Sequence, residues 1–134
     1  MEIEKKEFKA SYTAIFSVNY FMQGVSQSLF TTIVPLYVII QLNVLEATDI
    51  GTLGTIVLLP FAVKFIYGIL SDKYSFKKLG RRKPWIIGPL TMSGIIWVII
   101  PLFVASNPSS VLIIFTLGGL LIYLGIAMAD TAID

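Results

Sequence analysis

The sequence predicts an all-α, polytopic membrane protein with four transmembrane helices. Three observations lead there. Apolar residues make up 56% of the 134 residues and fall in long unbroken blocks. Charged residues make up 13%, about half of the roughly 25% of a soluble domain, and mean hydropathy is +0.85. Six of the ten Lys and Arg residues crowd into one stretch, 68–84, between two of the apolar blocks. Lys and Arg accumulate in cytoplasmic loops, so this stretch fixes the expected orientation.

Residues 1–11 are polar and mixed in charge, and read as a cytoplasmic tail. Residues 12–42 carry no charge and exceed the roughly 20 apolar residues that cross a bilayer, which leaves length for tilt. This first span is too long for the apolar core of a cleaved signal peptide. Asn19, Gln23 and Gln27 recur at i, i+4, i+8 and share one helix face. Gly24 and Ser28 beside them suit close helix approach. Pro35 predicts a kink near the outer end. A short acidic loop with Glu46 and Asp49 follows; Thr48 or Asp49 can cap the next helix.

The second span covers about 49–71, with Gly51 and Gly54 as small packing residues, Pro60, and Lys64, the one basic residue inside any span. The basic loop follows. Pro84 opens the third span, about 84–105, where a missing N–H costs nothing. Trp85 suits the interface at its cytoplasmic end. The uncharged turn Ser106-Asn107-Pro108-Ser109-Ser110 leads into the fourth span, about 110–134, which carries Asp130 and Asp134 at i, i+4 near its cytoplasmic end. The transmembrane domain is thus 12–134, with both termini and the basic loop inside.

Composition also excludes chemistry. Without cysteine or histidine there are no disulfides, no Cys/His metal sites and no thiol or imidazole catalysis. No serine sits in a nucleophile elbow and no carboxylate pair lies at mid-membrane, so an enzyme is not expected, nor any cofactor or metal. A net charge of +2 argues against a nucleic-acid partner, and the basic loop reads as lying at the membrane surface.

Gly68-Ile69-Leu70-Ser71-Asp72-Lys73, followed after six residues by Gly80-Arg81-Arg82-Lys83, resembles the loop that joins the second and third helices of the major facilitator superfamily. The spacer, 74–79, is longer than the usual one and turns the match away from the commonest subfamilies. Residues 59–72 with 79–85, and Ala129-Asp130-Thr131-Ala132-Ile133-Asp134, resemble the branch of muropeptide permeases, acetyl-CoA transporters and folate-biopterin transporters. That resemblance implies twelve helices in two six-helix halves, with a solute bound between the halves near the midplane. Four helices would be the N-terminal portion of one half, a fragment that needs the remaining helices or further subunits to enclose a cavity.

The resemblance implies a secondary transporter of the cell membrane, a symporter of a small solute and a coupling ion. Gly68, Asp72, Lys73, Gly80, Arg81 and Arg82 would form its cytoplasmic gate. Asp72 would face a helix N-terminus, and Arg81 or Arg82 would pair with Asp72 and with Asp130 or Asp134. The plainer reading of the basic residues is a topological anchor. Lys64 is a candidate substrate or ion contact, since an ionisable group inside a span faces a cavity or a partner; snorkelling to the headgroups or a structural pair with Asp130 are the alternatives. Asn19, Gln23 and Gln27 either line the path or bond between helices. Asp130 and Asp134 either relay protons or serve as salt-bridge partners. Two other functions compete. A self-contained four-helix oligomer would need a carboxylate in the first span, which has none. A non-transporting adaptor or remnant is compatible with the same residues.

Overall fold

The computed structural model describes residues 10–42, 47–74 and 82–133, and every regular element among them is helical. Four helical stretches are long and apolar enough to cross a membrane: Thr13–Ile40, Thr48–Lys73, Lys83–Ser106 and Pro108–Ile133. The first is built of α1 (Ala10–Ser28) and α2 (Val34–Leu42), joined by one π-helical turn, Leu29–Ile33. The second is α3 (Ala47–Ala62) followed by α4 (Lys64–Lys73). The third is α5 (Lys83–Ser106). A 3₁₀ turn, Pro108–Ser110, leads into the fourth, α6 (Val111–Ile133).

Pro35 acts one turn upstream of its own position. Its ring crowds the carbonyl four residues back and it has no N–H to donate. The backbone responds by widening at Leu29–Ile33, where the Val34 N–H reaches the Leu29 carbonyl. Such a π turn absorbs the misfit without ending the helix. The second span is interrupted at Val63, whose φ of −105° and ψ of 15° lie outside the helical range. The Ile66 N–H closes a tight turn onto the Val63 carbonyl at 3.0 Å.

The fourth span is the hub. Each outer span turns one stripe towards it: Phe30, Val34 and Val38 from the first, Leu53 and Val57 from the second, Ile100 and Val104 from the third. α6 answers over most of its circumference, with Val111, Phe115, Ile122, Tyr123 and Ile126 buried. The opposite faces of the first three spans stay exposed and apolar, including Phe21, Ile40, Leu59, Phe65, Val98 and Leu102. Acyl chains are as apolar as these side chains, so close packing rather than the hydrophobic effect must hold the helices together.

Close packing is set by glycines in α6. The Phe30 ring fills the space a Cβ on Gly119 would need, Ile100 does so at Gly118, and Ser93 Oγ with the Pro89 carbonyl do so at Gly125. Three earlier glycines, in the first two spans, play no such part. A Cβ on Gly24, Gly51 or Gly54 would meet nothing within 4 Å, so the close approach expected there is absent.

Candidate functional site

The charged residues inside the spans meet each other. Lys64 is the first residue of α4, directly after the interruption at Val63, and Asp130 lies in the last turn of α6. Lys64 Nζ is 3.5 Å from Asp130 Oδ2. The structural pairing of Lys64 with Asp130 is therefore present, and among the described residues the ion-pair partner of Asp130 is Lys64 rather than Arg82. Lys64 is nine residues before Lys73, about 14 Å of helix, and Asp130 meets it at that level of α4.

The two partners differ in environment. Asp130 is 5% exposed, whereas the Lys64 side chain is 47% exposed. The contact is long for an ammonium–carboxylate bond, which usually measures about 2.7–2.9 Å. Among the described residues Asp130 Oδ1 is buried with no hydrogen-bond partner. A buried carboxylate held through one oxygen at long range retains acceptor capacity that the fold does not use.

The helices around the pair are brought close by small residues. A Cβ on Gly68 would lie 3.1 Å from the Thr131 methyl, which gives this motif glycine a packing role between α4 and α6. The Thr131 hydroxyl donates to the Ala127 carbonyl at 2.7 Å and lies 3.5 Å from the Lys64 carbonyl. The Ser71 hydroxyl is turned back on the Gly68 carbonyl at 2.9 Å.

Of the other motif residues, Asp72 and Lys73 are exposed in the last turn of α4, and Arg82 is exposed at the start of α5. Gly80, Arg81 and Asp134 lie outside the described residues. The two ends of the basic loop are tied together: the Trp85 indole N–H donates to the Tyr74 carbonyl at 3.0 Å. Trp85 thus closes α4 against α5.

Asn19 and Gln23 stand apart from the charge pair. They line a cleft of about 650 Å³ between the first and third spans, floored by Ile126 and Ile133 of α6. Gln23 Oε1 is buried there without a partner among the described residues. Gln27 contributes its backbone, whose carbonyl accepts from Thr31 Oγ1 at 2.8 Å and from the Tyr123 hydroxyl at 3.5 Å. The structure therefore splits the polar stripe: two members face the cleft and the third anchors the first span to α6. Two polar contacts had no signal in the pattern, namely the Trp97 indole N–H to Ser26 Oγ at 2.9 Å and Ser93 Oγ to the Ile122 carbonyl at 2.9 Å. Both join residues far apart in sequence, where periodicity is silent. Among the described residues no group of three or more His, Cys, Asp or Glu could hold a metal ion.

Four helices long and apolar enough to cross a membrane, with an ionisable pair held between two of them, define a polytopic membrane protein. The chain belongs to the BT1 family, whose profile matches residues 23–134. This is a major-facilitator-like permease family, so the function is of the transporter type. No curated protein and no solved structure matches the chain.

Proposed function

We propose that the chain is part of a secondary active transporter that moves a small solute by alternating access, coupled to an ion gradient as in a symporter. The observation that carries this reading is the Lys64–Asp130 pair beside the interruption at Val63. Ionisable groups within spans mark solute and ion paths, and broken helices at such depth line binding sites in transporters. A half-exposed ammonium facing acyl chains would be costly, so Lys64 fits the edge of a wet cavity completed by further helices or subunits. The branch of muropeptide, acetyl-CoA and folate-biopterin transporters remains the finer reading of the motif residues.

The same reading places the protein in the plasma membrane, and puts the N-terminus and the basic loop in the cytoplasm because the basic residues outside the spans gather at one end. Gly68, Asp72, Lys73, Gly80, Arg81 and Arg82 form the cytoplasmic gate, and Asn19 and Gln23 border the path. Uptake of a labelled cell extract into proteoliposomes that hold the intact transporter, with all the helices or subunits that complete it, tests both levels. Uptake by the wild type with loss in Asp72→Asn and Arg81→Ala, at unchanged insertion, supports the gate. Normal uptake in both variants removes the gate, and no uptake in the wild type removes the transporter reading.

A further inference from the structure

We propose that the cleft between the first and third spans binds an apolar ring molecule that reaches it through the bilayer and donates one hydrogen bond to Gln23 Oε1. The inference goes beyond the transporter reading and stands apart from the Lys64–Asp130 pair. Its footing is the size of the cleft, the chemistry of its walls and one unused acceptor.

Trp97 props the two spans apart. Its indole N–H donates to Ser26 Oγ at 2.9 Å, and its ring meets Phe30 edge-on at 6.0 Å. Trp97 lines both the cleft of about 650 Å³ and a smaller cavity of about 320 Å³. The larger volume falls within the roughly 300–1,000 Å³ of small-molecule sites. It is too narrow for a further helix. The cleft runs along the first span from Ala14 to Leu29, about 22 Å of helix, so its mean cross-section is about 30 Å². A helix about 10 Å across needs roughly 80 Å².

The walls are mostly apolar, and Ile15, Val18 and Met22 among them are exposed. Such a mouth admits a molecule dissolved in acyl chains more readily than one from water. The two serines of the lining are engaged by the fold: Ser26 accepts from Trp97, and the Ser93 hydroxyl lies 3.0 and 2.9 Å from the carbonyls of Pro89 and Ile122. Gln23 Oε1 is buried without a partner among the described residues. A plain hydrocarbon chain in the cleft would leave this oxygen unpaired, whereas an N–H or O–H donor satisfies it. Gln23 lies ten residues from Thr13 and seventeen from Ile40, the ends of the first membrane-length stretch. The donor therefore sits inside the span, out of reach of a phospholipid headgroup.

The test is equilibrium binding of tritiated carbazole, a flat apolar molecule with one N–H, to the intact transporter in nanodiscs, with protein-free nanodiscs as the baseline. Saturable binding above the baseline is expected. N-methylcarbazole keeps the ring system and lacks the donor, and it should compete about two- to tenfold more weakly, the worth of one net hydrogen bond. Gln23→Met removes the acceptor at similar size and should erase that difference. Gly94 lines the cleft, and a Cβ on it would meet nothing within 4 Å. Gly94→Leu should therefore fill the cleft and abolish binding while the thermal midpoint holds; Gln23→Met decides the matter even where the midpoint falls. No saturable binding to the wild type, as when lipid or a further helix fills the cleft, overturns the proposal. So does equal competition by the two compounds in the wild type, a preference kept in Gln23→Met, or binding retained in Gly94→Leu. Solute uptake is measured apart from this binding, so the site and the transporter reading fail independently.

Discussion

The Phe30 ring lies where a Cβ on Gly119 would have to go. Phe30 is 2% exposed and makes edge-on contacts with Trp97, Phe115 and Tyr123 at centroid distances of 6.0, 6.4 and 5.6 Å. One side chain from the π turn of the first span is thereby keyed into the third and fourth.

Gly119→Ala should unseat that ring. Overpacking a tight contact costs roughly 1–3 kcal/mol, and the ring is hemmed in by three other aromatics. The expected result is a clear drop in thermal midpoint in detergent, followed by tryptophan fluorescence, since Trp97 borders the ring. Gly24→Ala is the control: nothing lies within 4 Å of the new methyl, and Ala favours a helix over Gly by up to about 1 kcal/mol. It should leave the midpoint unchanged or higher.

At Gly125 the obstacle includes backbone. The Pro89 carbonyl and Ser93 Oγ both occupy the Cβ position. Ser93→Ala removes the hydroxyl and its bond to the Ile122 carbonyl, a loss of about 0.6 kcal/mol for an interhelical hydrogen bond in a membrane. Gly125→Ala should cost more. Adding Ser93→Ala to it should not restore stability, because the carbonyl of α5 is still in the way. Unfolding in mixed micelles of the two single variants and the double variant compares these directly; full rescue in the double variant would mean that the hydroxyl alone sets the spacing.

The four spans were legible because an uncharged stretch of bilayer length is a one-dimensional signal. Which span sits at the centre was not, because apolarity all round a helix marks a membrane span and a buried hub alike. Gly24 and Gly119 look alike as letters, and only the arrival of Phe30 distinguishes them. Lys64 and Asp130 each stood out as charges, and their pairing was one of the options the pattern left open.

Orientation is testable because the chain has no cysteine. Lys83→Cys lies exposed at the start of α5 and Ser109→Cys lies exposed in the turn before α6, at opposite ends of the third span. The proposed topology puts residue 83 inside and residue 109 outside. An impermeant maleimide added to intact cells should label Ser109→Cys and not Lys83→Cys, and inverted vesicles should reverse the pattern. Labelling of Lys83→Cys in intact cells would invert the orientation.

The stability of the Lys64–Asp130 pair separates a bond from a burden. Removing one partner of a buried pair typically costs about 3–5 kcal/mol, because the other charge is stranded. Lys64→Ala strands Asp130, which is 5% exposed, but Lys64 itself is half open, so the loss should fall towards the lower end of that range. Asp130→Asn strands only a half-exposed ammonium and should cost less. The double variant Lys64→Ala with Asp130→Asn leaves no charge behind, and its thermal midpoint should recover most of what Lys64→Ala loses. That non-additivity, read from a four-corner cycle of midpoints, is what a 3.5 Å contact of this kind requires. Additive losses would show that the two side chains do not sense each other, and would take away the footing of the pair.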